Sequence, residues 1–151
     1  MSLSLPTIRI TKKFEFELSH ALTGYNGACH NIHGHTYKLS VTVSGTPVSD
    51  QSDPMYGMVM DFARIKAIVR ENVIDHLDHA LALNASDAER FPGIDRSTRV
   101  VYFPFAPTCE MILFHICTTI SAHLPVQVIL QTVRLEETST SYAEWHYEDN
   151  K

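Results

Sequence analysis

Cys29-His30-Asn31-Ile32-His33-Gly34-His35-Thr36-Tyr37-Lys38-Leu39-Ser40-Val41-Thr42-Val43 is the stretch whose reading decides the fold. It sets a thiol four residues before a His-Gly-His pair and then runs into an alternating strand. His33, His35, Tyr37, Leu39, Val41 and Val43 are all odd-numbered. Side chains alternate faces along a strand, so both imidazoles share the face that carries the apolar residues. Two imidazoles separated by a glycine on one inward face can point at a common centre, and Gly34 adds no side chain to crowd it.

A third imidazole stands upstream in the same phase. Phe14, Phe16, Leu18 and His20 are all even-numbered, in a run that also reads as a strand. His20 ends the inward face of a first strand, over 7–20, as His33 and His35 begin that of a second, over 33–45. The intervening ALTGYNGA holds two glycines and an asparagine and can turn the chain back. Antiparallel pairing then gathers His20, His33 and His35. Three neutral imidazoles suit Zn²⁺ and leave a fourth position open, the pattern of a catalytic site rather than a closed structural one. A lone inward histidine is more often a satisfied core residue than a ligand. The shared phase of three, with Cys29 beside them, favours the metal.

The chain has 151 residues, 44% apolar and 19% charged, enough for one domain with a real core and too apolar for disorder. A net charge of −5 argues against a nucleic-acid surface or a polybasic membrane patch. No apolar run is long enough to span a bilayer, and MSLSLPTIRI lacks the basic start and apolar centre of a secretory signal. Three cysteines, Cys29, Cys109 and Cys117, are too few for a disulfide scaffold and fit a reduced, cytoplasmic setting.

Residues 46–56 read as an exposed loop, and Asp61 as the N-cap of a helix from Phe62 to about Leu83. Phe62, Ile65, Val69 and Val73 give that helix its apolar spacing. Its C-terminal end delivers Asp75-His76-Leu77-Asp78-His79. A helix C-terminus favours a cation and an adjacent carboxylate raises an imidazole's basicity, so Asp78 and His79 read as a proton-transfer pair. The alternative is a solvated helix end with ordinary charge pairs. His76 and His79 stand one turn apart, but no third ligand has matching spacing. Residues 84–107 read as a long loop with a short extended piece at Arg99–Phe103. Thr108 caps a second helix that carries Glu110 in its first turn and ends near His123. Val126–Glu137 reads as a third long strand and Tyr142–Tyr147 as the last, with a frayed tail. Glu137, on the apolar face at its strand's end, either emerges into solvent or is held in a pocket. The order β-β-α-α-β-β predicts an α+β domain: a four-stranded antiparallel sheet with two helices on one face. Its edge strands invite pairing with other subunits.

These residues match a known family. Phe-Glu-Leu-Ser-His20, Cys29-x3-His33-Gly-His35, Gly57-Met-Val-Met-Asp61-Phe, Leu77-Asp78-His79, Pro107-Thr-Cys-Glu110 and Glu137-Thr138-Ser-Thr140 together resemble the 6-pyruvoyl-tetrahydropterin synthase and 6-carboxy-tetrahydropterin synthase family, which has the tunnelling, or T-, fold. The resemblance runs from Phe14 to Trp145. The Cys-x3-His-Gly-His spacing is similar to the bacterial 6-carboxy enzymes of queuosine biosynthesis; the 6-pyruvoyl enzymes typically have a longer gap. The stretch from Asn84 to Pro107 is longer than in the most compact members.

The resemblance implies a lyase that converts 7,8-dihydroneopterin triphosphate to 6-carboxy-5,6,7,8-tetrahydropterin, acetaldehyde and triphosphate. It implies Zn²⁺ on His20, His33 and His35, with Cys29 abstracting a proton and His79, oriented by Asp78, relaying it. Glu137 grips the guanidine-like edge of the pterin and joins the charge relay, and Thr108 contributes to the pterin pocket. It further implies a homohexamer, a dimer of trimers with active sites between subunits, so that Asp78 and His79 serve a neighbour's Cys29. Two alternatives stand beside it. A 6-pyruvoyl-tetrahydropterin synthase eliminates triphosphate and keeps the carbon chain. A non-catalytic, pterin-binding T-fold holds a structural zinc, with His30 or His76 as a fourth ligand.

Overall fold

Strand pairing follows the sequence phase. The structure, a computed structural model, describes residues 4–151. Strand β1 (Ile8–His20) and strand β2 (His33–Gly45) pair antiparallel along their whole length, with Phe14 opposite Leu39, Phe16 opposite Tyr37, Leu18 opposite His35 and His20 opposite His33. This register puts Phe14, Phe16, Leu18, Tyr37, Leu39, Val41 and Val43 on one buried face. Burying each such side chain contributes about 1.5–3 kcal/mol, so a one-residue slip that turned them all outward is heavily disfavoured. Gly34 lies opposite Ser19, where an added Cβ would stand 3.0 Å from the Ser19 hydroxyl oxygen and 3.4 Å from the Leu18 carbonyl. The glycine between the histidines therefore relieves crowding against β1 rather than around the inward centre.

Helix α1 (Phe62–Val69) starts on Asp61, whose side chain accepts from Ala63 N at 2.8 Å. It runs on through a π-helical turn at Arg70–Ile74 and ends in the short helix α2 (Asp75–Leu77). Ile65, Val69, Val73, Ile74 and Leu77 are buried. The expected helix to about Leu83 thus stops at Leu77. Ala80–Asn84 forms strand β3, parallel to β1 at Leu18–His20, and Val100–Phe103 forms strand β4, parallel to β3. Ala80, Leu81, Ala82 and Leu83 are all buried, so β3 shows no alternation and its apolar run reads equally as helix.

Helix α3 (Cys109–His123) starts on Thr108, whose hydroxyl accepts from Met111 N at 3.2 Å. Strand β5 (Ile129–Thr138) pairs with β2, and strand β6 (Ser141–His146) with β5. The sheet has six strands rather than four, in the order β4-β3-β1-β2-β5-β6, mixed at one end and antiparallel over the rest. The α+β class and the helices on one face stand as expected: Ile65, Val69, Ile112, Ile116 and Ile120 share one core with the inward residues of β1, β2 and β5. No helix among the described residues is long and apolar enough to cross a membrane.

The segment read as a long loop is also built. Two short 3-10 helices, Ala85–Arg90 and Ile94–Arg96, precede β4. Phe91, Ile94 and Val100 pack on Ala21, Leu81 and Leu83 as a second, smaller cluster.

Candidate metal centre and active site

Because His20 and His33 are direct cross-strand partners and His35 is two residues further on the same face, the three rings converge. Their centroids lie 4.5–5.2 Å apart, with 4.5 Å between His20 and His33 and 5.2 Å between His20 and His35. One ligand atom from each falls within 4.8 Å of the others. His20 Nδ1 lies 2.7 Å from the Pro107 carbonyl and His33 Nδ1 lies 2.8 Å from the Asn31 carbonyl. A carbonyl only accepts, so each Nδ1 carries the proton and each Nε2 presents a lone pair. Those two Nε2 atoms face each other at 3.0 Å. Two lone pairs at that distance repel unless a cation or proton stands between them. His35 Nε2 is buried and has no hydrogen-bond partner, with the Glu137 carboxylate 3.8 Å away. An orphaned buried ring nitrogen beside two converging lone pairs fits a metal ion. Imidazole nitrogens around tetrahedral zinc stand about 3.3 Å apart, close to the 3.0 Å between the Nε2 atoms of His20 and His33. Burial pushes the His20 imidazole below its ordinary range, against the Pro107 bond and the Glu137 charge, which favours the neutral form a metal needs.

The carbonyls that fix these rings come from Asn31 and from Pro107, at the entry to α3. Outer-shell acceptors of this kind set the tautomer of a metal-ligating histidine. Neither had a sequence signal, since any residue supplies a carbonyl.

Glu137, at the end of β5, is held and not merely emerging. The Tyr37 hydroxyl donates to its Oε2 at 3.1 Å. Tyr37 is fully buried, and burial together with the Glu137 charge pushes its hydroxyl far up, so it stays a donor. Sequence reading had placed Tyr37 only as an apolar member of the strand. Glu137 and His35 line one cavity of about 370 Å³ with Thr36, Lys38, Thr138 and Ser139. Thr108, whose hydroxyl is engaged as a helix cap, lines a different cleft of about 420 Å³ with Pro107, which shares no lining residue with the Glu137 cavity.

Cys29 lies half-buried in the single 3-10 turn Ala28–His30 before β2. Its carbonyl accepts from Leu22 N at 2.9 Å, which closes the loop that leaves His20. The other two thiols are unsuited to proton transfer: burial pushes both Cys109 and Cys117 up to about 12.

Asp78 and His79 form the expected pair, with Asp78 Oδ1 3.0 Å from His79 Nδ1. They stand at the helix's C-terminal end, Asp78 as its C-cap and His79 the next residue. Asp78 Oδ1 accepts from Glu17 N at 2.8 Å, and His79 N donates to Glu17 O at 2.7 Å. Desolvation pushes the Asp78 carboxyl up, but the Glu17 N–H and His79 outweigh it and hold the group below its usual range. His79 adopts φ 58°, a left-handed conformation that is uncommon for a non-glycine residue and a feature of functional sites. Arg99 steadies the turn: its guanidinium donates to Asp75 O at 2.5 Å and Asp78 O at 3.4 Å. The His79 side chain is 78% exposed. Among the described residues, no hydrogen bond or ion pair joins it to Cys29 or to the three histidines.

The chain is similar to known proteins. The 6-pyruvoyl tetrahydropterin synthase family model matches residues 9–148. A Haemophilus influenzae protein named 6-carboxy-5,6,7,8-tetrahydropterin synthase is 34% identical over 142 residues, spanning 91% of this chain and 97% of its own. An uncharacterized protein from Wolinella succinogenes has a similar fold, with a TM-score of 0.76 and 21% identity over 94% of this chain and 99% of its own. Caenorhabditis elegans 6-pyruvoyl tetrahydropterin synthase aligns with a TM-score of 0.67 and 21% identity, over 94% and 96% of the two chains.

Proposed function

We infer that this chain, which belongs to the 6-pyruvoyl tetrahydropterin synthase family, converts 7,8-dihydroneopterin triphosphate and water to 6-carboxy-5,6,7,8-tetrahydropterin, acetaldehyde and triphosphate. The observation that carries the reading is the convergence of His20, His33 and His35 on one centre beside the held carboxylate of Glu137. Support for the 6-carboxy product comes from the Cys29-x3-His33 spacing and from the name of the Haemophilus relative.

Zn²⁺ is the ion this donor set suits, held on three imidazoles with a position left for substrate. When bound, it supplies Lewis-acid polarisation of the substrate's side-chain oxygens. The chain's own groups do the rest. Glu137 accepts the paired N–H donors of the pterin's guanidine-like edge, a geometry that suits a carboxylate. Tyr37 holds Glu137 in place for that contact. Cys29 takes the substrate proton as thiolate, the form favoured by a cationic neighbour. His79 carries a proton as second acid–base, with Asp78 fixing its ring.

Because the exposed His79 ring pairs with Asp78 and, among the described residues, makes no hydrogen bond or ion pair with Cys29, we assign it to a neighbouring subunit's Cys29. That assignment goes with a homohexamer built as a dimer of trimers and with active sites between subunits. The chain acts as one T-fold catalytic domain, 1–151, in the cytoplasm, and supplies a queuosine-type 7-deazapurine route.

The test is to incubate zinc-loaded protein with 7,8-dihydroneopterin triphosphate and measure acetaldehyde and the pterin product together. Acetaldehyde with a 6-carboxy pterin is expected. A pyruvoyl product without acetaldehyde would move the chain to the 6-pyruvoyl reaction, and no product would leave a pterin-binding T-fold.

A further inference from the structure

The described residues bury few polar or charged side chains: His20, Thr23, Ser44 and Asp87. Two of these four meet each other. The Thr23 hydroxyl donates to Asp87 Oδ2, while Asp87 Oδ1 lies 3.2 Å from Arg90 Nε. Arg90 Nη1 also reaches the Thr23 carbonyl, at 3.5 Å. Thr23 is therefore gripped at its side chain and at its backbone by one acid–base pair. A carboxylate is rarely buried, since removing it from water is costly unless its bonds are satisfied. Asp87 is one of the few such cases, and the mechanism above does not use it.

Its location gives it a task. Thr23 stands three residues after His20, in the loop that carries Cys29. Leu22, its neighbour, donates to the Cys29 carbonyl and accepts from Tyr25 N, both at 2.9 Å. The Cys29 turn thus hangs from Leu22, and Leu22 is fixed between Ala21, buried in the smaller core cluster, and the clamped Thr23. The partner in the clamp comes from the 3-10 helix Ala85–Arg90, within the segment between β3 and β4. That helix is itself anchored by Phe91 and Ile94 on Leu81 and Leu83.

We propose that Asp87 is a positioning residue, which acts through Thr23 to set where the Cys29 thiol sits relative to the His20, His33 and His35 centre. The segment between β3 and β4 is then a brace for the thiol-bearing loop. This rests on the reading of Cys29 as the proton-transfer group.

The test compares Thr23→Val, Thr23→Ser and Asp87→Asn in the zinc-loaded, full-length protein. Each is assayed for kcat and KM, for zinc content, and for the rate at which iodoacetamide alkylates Cys29, followed by peptide mass spectrometry. Thr23→Val is close in shape and removes only the donor. It is expected to lower kcat by about tenfold, because small misplacements of a reacting group are costly, with KM and zinc content near those of the parent. It is also expected to change the Cys29 alkylation rate several-fold. Thr23→Ser restores the donor and is expected to restore both readouts. Asp87→Asn keeps an acceptor but loses the charge, and is expected to fall between. Parental kcat and parental alkylation in Thr23→Val would overturn the proposal, as would a Thr23→Ser that behaves like Thr23→Val. If the parent does not turn over the pterin, the proposed function fails, yet the alkylation rates still report whether the clamp sets the thiol.

Discussion

The backbone of Glu17 holds Asp78 directly, its N–H donating to Asp78 Oδ1 at 2.8 Å. The same residue's carbonyl takes the His79 N–H, so β1 grips both members of the pair at one point. Asp78→Asn keeps the shape and removes the charge that orients the His79 ring. The expected loss in kcat is about 10²-fold, within the span of general acid–base contributions, with zinc content unchanged. Turnover at the parental rate would remove Asp78 from the relay.

Arg99 closes the same turn from the other side, through the carbonyls of Asp75 and Asp78. Arg99→Ala leaves those carbonyls to water and releases the left-handed conformation at His79. We expect kcat to fall by roughly tenfold, equivalent to about 1.4 kcal/mol, with Arg99→Lys recovering only part, since lysine lacks the planar fork. An Arg99→Ala protein with parental kcat would show that the turn holds without it.

Metal binding and chemistry should separate by residue. His33→Ala removes one of three ligands and is expected to leave the protein with well under one zinc per chain. Cys29→Ala is expected to retain zinc and to lose turnover. Metal analysis by plasma mass spectrometry, paired with the acetaldehyde assay, reads both. A His33→Ala protein with full zinc would refute the ligand set, and an active Cys29→Ala would refute the base.

Tyr37 and Glu137 make a prediction about binding. Tyr37→Phe removes the donor to Glu137 Oε2 and leaves a partly buried carboxylate less satisfied. The expected cost is about 1 kcal/mol in stability, with a several-fold rise in KM for the pterin. Glu137→Gln loses the charge that meets the pterin edge and is expected to raise KM further. Titration of each variant with the substrate checks both, and an unchanged KM in Glu137→Gln would displace it from the pterin contact.

The metal-free protein should lose stability on acidification. Burial lowers the imidazoles of both His20 and His115, and a nearby His76 adds to the effect on His115. A folded-state value below the unfolded one means that the unfolded chain binds more protons in the interval between them. Stability from these groups is therefore fully present above about pH 6.5, the unfolded value, and lost as pH falls through the folded values. His115→Gln should flatten the fall in melting temperature below pH 6.5. The same slope as the parent would show that His115 does not contribute.

Much of this was legible because two-residue alternation is a strong signal. The phases of Phe14 to His20 and of His33 to Val43 gave both strands, their antiparallel pairing and the three-histidine centre. The caps at Asp61 and Thr108 likewise had their expected residues in place. What sequence could not separate was Ala80–Asn84, where burial of four successive residues, Ala80 to Leu83, erased the alternation that marks a strand. With β3 unread, β4 had no partner, and the sheet was two strands short. The brace was hidden for a related reason: Asp87, Thr23 and Arg90 are ordinary loop residues until the fold brings them together and buries Thr23 and Asp87. The hold of Tyr37 on Glu137 joins residues a hundred positions apart, with no local pattern to reveal it.

X-ray absorption at the zinc edge, on zinc-loaded protein before and after addition of 7,8-dihydroneopterin triphosphate, reads the metal centre itself. Three imidazole nitrogens and an oxygen at about 2.0–2.1 Å are expected, with the oxygen shell altered by substrate. A fourth nitrogen, or a sulfur at about 2.3 Å, unmoved by substrate, would contradict this: the site would then be closed, and zinc structural.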